Sequence, residues 1–344
     1  MKNARYRWLW LFILLVAVGS AASLAVALQW DDVKLKLTRL WGYRTLENNP
    51  LLPAFNRDLK PLNTAQARIN LDELLAGGPP KDGIPALDHP AFDTPLQTPF
   101  PDDERVLGVF INGQAKAYPY SILNWHEIVN DSIGGVPVSV TYCPLCETGI
   151  VFERRVGGKE TSFGVSGKLF QSCLVMYDRL TDSLWSQPWG LGVVGPHVNE
   201  SLKRYPAMRT TLGLWKKVHP ATSVLSANTG SGRDYFRYPY GSYYTSDALI
   251  FPVRNTDRVA GSVKAIESYY WAANEATPQN QFAGLSVHFS WQEVAQKKRV
   301  VQSVGNRRIE ARWDVRLQSV RLFENDHELA GSAAFAFVYP AFFP

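Results

Sequence analysis

The sequence predicts a mainly β protein of the α+β class, with a few short helices behind an N-terminal transmembrane helix. Three observations carry this. Short β-branched and aromatic runs alternate with Asn-Gly and Gly-Gly pairs through the middle of the chain, as strands joined by tight turns do. Helical periodicity is confined to two brief segments. One long apolar run opens the chain, and no second run of that length follows. With 46% hydrophobic and 19% charged residues in 344, the chain can bury a large core and is not of the disordered class. The formal charge is +5, but the basic residues are scattered, so no nucleic-acid partner is expected. The 11 Trp, 15 Tyr and 17 Phe suit a β core or a ligand groove.

Taken in order, Lys2, Arg5 and Arg7 precede an apolar stretch from Trp8 to Leu28 that ends at Asp31-Asp32. A bilayer span needs about 20 apolar residues, and the basic flank holds the N-terminus in the cytoplasm. A cleaved signal peptide ending at Ala25-Val26-Ala27 is the competing reading, and the length of the run favours an uncleaved anchor. Both readings place residues 31 onward outside the cytoplasm.

Residues 31–104 are proline-dense, a stalk or a lead-in laid over the domain. Val106 to Ile111, Asn112-Gly113 and Gln114 to Tyr118 read as a hairpin. Ser121 caps a short helix with Ile122, Trp125 and Val129 on one face, ending near Asn130 at the Gly134-Gly135 break. Val136 to Tyr142 is a strand running into Cys143-Pro144-Leu145-Cys146, and short strands follow to Trp185. Leu212 to Val218 is a second helix behind Thr210 or Thr211, and Gly230 to Gly241 is a long aromatic loop. Four parts result: an anchor over 1–30, the stalk over 31–104, a main β-rich domain over 105–257, and a shorter β-rich unit over 258–344.

A faint internal repeat links the last two parts. Arg105-Val106-Leu107-Gly108 matches Arg258-Val259-Ala260-Gly261, and Ala115-Lys116-Ala117 matches Val263-Lys264-Ala265. Val138 to Tyr142 matches Leu285 to Phe289, and Val218-His219-Pro220-Ala221 matches Val338-Tyr339-Pro340-Ala341. A degenerate tandem duplication and chance similarity both explain four short matches. Under duplication, Ser290 and Trp291 stand where the first copy has Cys143 and Pro144.

Cys143 and Cys146 are spaced so that both sulfurs face one point, which suits a shared metal ion or a reversible disulfide. The Cys-Pro-x-Cys turn between two strands resembles the knuckle of zinc ribbons and rubredoxin-like sites, but no second Cys-x-x-Cys is present to complete such a site. His126, on the helix before the cysteine strand, is a candidate third ligand. Cys173 and Met176 would point to opposite faces of a strand, so at most one of them joins the site. Two thiolates with imidazole and a thioether form a soft set, suited to copper(I) and acceptable to zinc. A small structural disulfide is the plainer alternative. Gly164-Val165-Ser166-Gly167 lacks the final glycine of a nucleophile elbow. Trp185-Ser186-Gln187-Pro188-Trp189 offers either core packing or a stacking platform.

Several blocks together resemble the domain-of-unknown-function 3179 family. They are Asp82 to Asp88, Asn124-Trp125-His126-Glu127-Ile128-Val129-Asn130-Asp131, Tyr142 to Cys146, Phe163 to Gly167 and Leu174 to Arg179. Trp185-Ser186-Gln187 and Arg233-Asp234-Tyr235 extend the resemblance from about 82 to 253, and it fades from 258. The resemblance implies a bacterial or archaeal protein, often exported, with no established activity. It places His126, Cys143, Cys146, Met176 and Asp178 inside family blocks and Cys173 outside the expected cysteines. Glu147 stands where such knuckles often carry glycine.

The expected function is therefore soft-metal binding, of copper or zinc, by Cys143, Cys146, His126 and Met176. A thiol-disulfide oxidoreductase with Cys143 as nucleophile and Cys146 as resolving thiol is the alternative, and a small-ligand module on the aromatic loops is the third. Whether the chain is an enzyme is left open by these residues.

Overall fold

A computed structural model describes residues 67–272 and 285–343. The apolar run at 8–28 and the first part of the proline-dense stretch lie outside these residues. Among the described residues no helix is long and apolar enough to cross a membrane. Among the described residues the chain is β-rich: the strands form several antiparallel-dominated sheets, and the α-helices have five to seven residues.

One order of elements occurs twice. The strands Arg105–Ile111 and Gln114–Pro119, the helix Tyr120–His126, and the strands Ile128–Ile133, Val136–Cys143 and Thr148–Glu153 make the first copy. Ile266–Ala272, Leu285–Ser290, the helix Trp291–Lys297, Arg299–Val304, Arg307–Asp314 and Ser319–Glu324 make the second. From Gln114 and from Leu285 onward, the elements agree in length one by one. Each copy is completed by a strand that pairs with its first strand, Ala207–Thr211 with Arg105–Ile111 and Ser332–Phe335 with Ile266–Ala272. A short helix follows each, Leu212–Val218 and Val338–Phe342.

The register of this recurrence differs from the sequence matches. Val138 to Tyr142 aligns with Ile309 to Trp313 rather than with Leu285 to Phe289, and Cys143 aligns with Asp314 rather than with Ser290. Residue likeness misled because alternating apolar strands resemble one another whatever their place in the fold.

Local chemistry explains the shared turns. Asn112 and Gly113 both take positive φ (48° and 83°), and Ile111 pairs with Gln114, a two-residue turn whose twist matches its strands. The first helix ends at His126, earlier than Asn130. Glu127 takes φ 57° and its N–H returns to Leu123 O, which closes the helix. Ile128 and Val129 then pair with Thr141 and Val140, so the β-branched pair belongs to a strand and Gly134-Gly135 is a hairpin turn. Lys298 ends the second helix in the same way, with φ 65° and a bond to Val294 O.

The copies clasp each other. Thr148–Glu153 lies against Ser332–Phe335, and Ser319–Glu324 lies against Ala207–Thr211. Phe335 N donates to Cys146 O (2.9 Å), and Thr210 Oγ1 donates to Leu317 O (2.5 Å). They differ in what joins their last two strands. The second uses only a hairpin through His327–Leu329, whereas the first inserts residues 154–206. That insertion holds the strands Phe163–Phe170, Cys173–Asp178, Leu184–Ser186 and Leu191–Val194, with Leu74–Ala76 of the lead-in added at the edge. The lead-in also bridges Leu87 to Val129 and pairs Phe92–Asp93 with Ser223–Leu225.

Among the described residues the buried apolar side chains form three clusters. One fills the first copy around Trp215, one fills the second around Phe289, and the largest joins the cysteine turn, the insertion and the C-terminal helix.

Candidate functional site

Cys143 ends a strand and pairs with Thr148 across the four-residue turn, and Cys146 N donates to Cys143 O (3.3 Å). The last turn residue, Glu147, takes φ 58°, so a position suited to glycine is filled by a charged side chain. Glu147 is wholly buried. Arg105 Nη1 and Arg209 Nε donate to its Oε1 (3.2 and 3.1 Å), and Tyr142 OH donates to Oε2 (2.8 Å). Two guanidiniums and a phenol supply the donors that a carboxylate without water needs.

All three cysteines of the chain meet under this turn. The Cys146 thiol interacts with both Cys143 and Cys173, and Cys143 Sγ lies 4.0 Å from Ser172 O. None is bonded to another, and each is 1% exposed or less. Burial pushes the Cys143 and Cys146 thiols well above their ordinary value and Cys173 up to about 11, so all three are protonated at neutral pH.

The family resemblance puts Cys173 outside the expected cysteines, and the expected ligand set takes Met176 in its place. Instead, the hairpin Phe170–Cys173, with Gln171 and Ser172 both at positive φ, delivers its side chain to the pair. Strand alternation then puts Met176 on the opposite face, as a neighbour of Val165 and Trp185 across the sheet.

His126 is occupied elsewhere. Its Nδ1 lies 2.7 Å from Pro85 O, which can only accept, so Nδ1 carries the proton. Its Nε2 then accepts from Tyr235 OH at 2.6 Å. Burial lowers the imidazole pKa and keeps this neutral arrangement. Of the four expected ligands, the structure brings together Cys143 and Cys146 and adds Cys173. Among the described residues no group of three or more His, Cys, Asp or Glu side chains is arranged to hold a metal ion.

Two groups that the sequence reading passed over complete the surroundings. Glu127, next to His126, is buried, and its charge pushes the Cys143 thiol pKa further up. Desolvation raises its pKa to about 7, with Tyr240 OH (3.1 Å) opposing part of the rise. Tyr238, Tyr240, Tyr243 and Tyr244 form a strap over the turn. Tyr243 OH donates to Leu145 O (2.7 Å), and Tyr244 OH lies 3.4 Å from Tyr142 OH. Lys264 Nζ fastens the strap, donating to the carbonyls of Tyr243, Ser246 and Ala248 at 2.7 to 2.8 Å and sitting over the Tyr243 ring. Proline and glycine in this loop signalled irregular chain, but nothing local showed which way its tyrosines face.

Gln187 fixes the protonation of Cys146. Its amide donates to Thr141 Oγ1 and Thr148 O (3.2 and 3.3 Å), which turns Oε1 toward Thr148. Thr148 spends its only proton on Oε1 (2.7 Å), so at 3.0 Å it must accept from the Cys146 thiol.

The remaining motifs are structural. Ser166 sits on a β-bulge between Val165 and Lys168, and its hydroxyl is spent on Val175 O. Gly167 takes φ 74° there, with Pro79 O 2.5 Å from where a Cβ would lie. Trp185 is wholly buried and donates to Asp178 (2.9 Å), and Trp189 donates to Phe342 O, so neither is a stacking platform. Tyr235 is held against His126.

Residues 81–338 match the family described as a protein of unknown function, DUF3179. The chain belongs to this family. The match runs through the second copy, where the sequence resemblance had faded. No curated protein and no solved structure matches the chain. The family thus spans both copies and the insertion between them, and every cysteine lies inside it.

Proposed function

We propose that this family member carries a thiol–disulfide redox centre, with Cys143 and Cys146 as the exchanging pair. The observation that carries the reading is geometric: two unbonded thiols at the two ends of one turn, Cys143 and Cys146, lie in contact, with the Glu127 carboxyl buried nearby. A buried thiol exchanges only as its thiolate, and a carboxylate that titrates near neutrality can take its proton. Cys143 attacks a substrate disulfide as Glu127 accepts the thiol proton, and the first substrate sulfur leaves. Cys146 then attacks the Cys143 sulfur, closing the protein disulfide and releasing the second substrate thiol. Two electrons and two protons pass to the substrate. The tyrosine strap excludes solvent in the described state, so exchange requires it to lift. Export behind an N-terminal anchor over residues 8–28 is part of the proposal, because an extracytoplasmic compartment supplies disulfides as substrates.

The same thiols support a second reading, a copper or zinc ion held by cysteines. The contact of Cys173 with Cys146 favours it, since a third soft ligand is superfluous for simple exchange. Both readings are tested on the same protein. In graded glutathione buffers, alkylation mass shifts should show Cys143 and Cys146 oxidising together, with a potential above about −300 mV. Cys173 should stay reduced, and Glu127→Gln should slow the exchange. A pair that stays reduced throughout, with one tightly held copper or zinc ion lost in Cys173→Ser, would overturn redox exchange in favour of metal binding.

A further inference from the structure

The second copy carries a feature of its own at the place corresponding to the cysteine turn. In the first copy that turn is covered by the insertion and the tyrosine strap. In the second, where a short hairpin replaces the insertion, the turn Asp314–Leu317 stays at the surface, with Val315 66% exposed. Beside it opens a cleft of about 130 Å³ between the two copies.

One wall is aromatic and comes from the first copy: Phe110, Trp215 and His219, with Met208. Trp215 is fixed by its Nε1 donating to Thr222 Oγ1 (2.9 Å). The His219 ring stacks on Phe110 with centroids 5.1 Å apart and meets Trp215 at 4.2 Å. The opposite wall comes from the second copy and is charged. Arg321 is committed, donating to Glu328 through Nε and Nη2 (2.8 and 2.6 Å). Arg316 is held loosely, 3.5 Å from Asp314, with its side chain two thirds exposed. Asp314 is itself engaged by the N–H groups of Arg316 and Leu317 (3.0 and 3.2 Å). Burial lowers the His219 pKa first, and Arg316 and Arg321 lower it further.

We propose that this cleft binds a small aromatic carboxylate, its ring against the half-exposed Phe110 and its carboxylate on Arg316. The volume is that of a single ring, since a cavity of about 150 Å³ accommodates benzene. A planar ring on aromatic walls gains stacking contacts that an aliphatic acid lacks. The guanidinium gives a fork that fits a carboxylate and displaces only a weak tie to Asp314. This site does not depend on the thiol chemistry.

The test is calorimetric titration of the full-length chain with benzoate, with neutral benzamide as control. Benzoate should bind one to one and about tenfold more tightly than benzamide. Arg316→Ala should remove that preference while leaving benzamide binding unchanged. Phe110→Ala, at a half-exposed position where folding is not at risk, should weaken both ligands. No heat of binding with benzoate up to about 10 mM, where even a millimolar site would show, overturns the proposal. Equal binding of benzoate to wild type and Arg316→Ala overturns it as well.

Discussion

The two copies share a backbone and differ in almost everything chemical at one turn. Each brings a strand to a four-residue turn that ends on a residue in the left-handed region, Glu147 (φ 58°) or Gln318 (φ 48°). Each also packs an aromatic pair beside it, Tyr120 with Tyr142 and Trp291 with Trp313. In the second copy the turn is made in the ordinary way, by Asp314 accepting the N–H groups of the turn. In the first, the corresponding positions hold Cys143, Cys146 and a buried carboxylate with two arginines. The fold therefore needs neither the thiols nor the buried charge, since its own second copy does without them. Residues that a fold can spare, yet that are costly to bury, are retained for chemistry more readily than for stability.

The comparison is broken most directly at the last turn residue. Glu147→Ala should cost about 3–5 kcal/mol, because it leaves the Arg105 and Arg209 guanidiniums without their partner. Gln318→Ala, at an exposed position, should change stability by less than about 0.5 kcal/mol. Urea unfolding of both variants measures the contrast, and similar costs would mean that the buried carboxylate is no more than a turn residue.

Next comes the helix terminus, Glu127 against Lys298. The Glu127 pKa rises from 4.5 to about 7 on folding, so the folded state binds the proton more tightly. Its stabilisation is complete below pH 4.5 and is lost as pH rises through about 7. The loss is about 3 kcal/mol, from 1.4 kcal/mol per pH unit. Unfolding free energies measured between pH 4 and 8 should fall across that window in wild type, and Glu127→Gln should flatten this part of the profile. A profile equally steep in the variant would place the titration on another group.

How much of this was legible depended on range in the chain. The Asn112-Gly113 hairpin and the Thr211-capped helix follow from local turn and cap chemistry, and the sequence shows both. The Cys143–Cys146 turn was visible because its two sulfurs are neighbours in sequence. That Cys173 and Met176 lie on opposite faces is legible, but which of them reaches the turn depends on how the hairpin at Gln171-Ser172 docks over Cys143–Cys146, distant in the chain. His126 drew attention by proximity, but its partners are the Pro85 carbonyl and Tyr235, both distant in sequence. No local signal assigned Glu127 a role beyond its place in the Asn124–Asp131 block. Only the fold, by ending a helix there with positive φ and covering it with Tyr240, makes it a buried carboxyl that titrates near neutrality.

The smallest effect expected is at the strap, which covers the first turn and has no equivalent over the second. Tyr243→Phe removes one hydrogen bond, to Leu145 O, and keeps the ring that packs under Lys264. The global cost should be about 1 kcal/mol. If the strap opens locally, that loss falls on the opening equilibrium and exposes the thiols about fivefold more often. The rate at which a small alkylating reagent labels Cys143 and Cys146 under native conditions reads this directly. Labelling should rise about fivefold in Tyr243→Phe while the urea midpoint moves only slightly. Labelling that tracks global unfolding in both proteins would mean that the strap is a fixed part of the core, and exchange at the pair would then need a different route to the sulfurs.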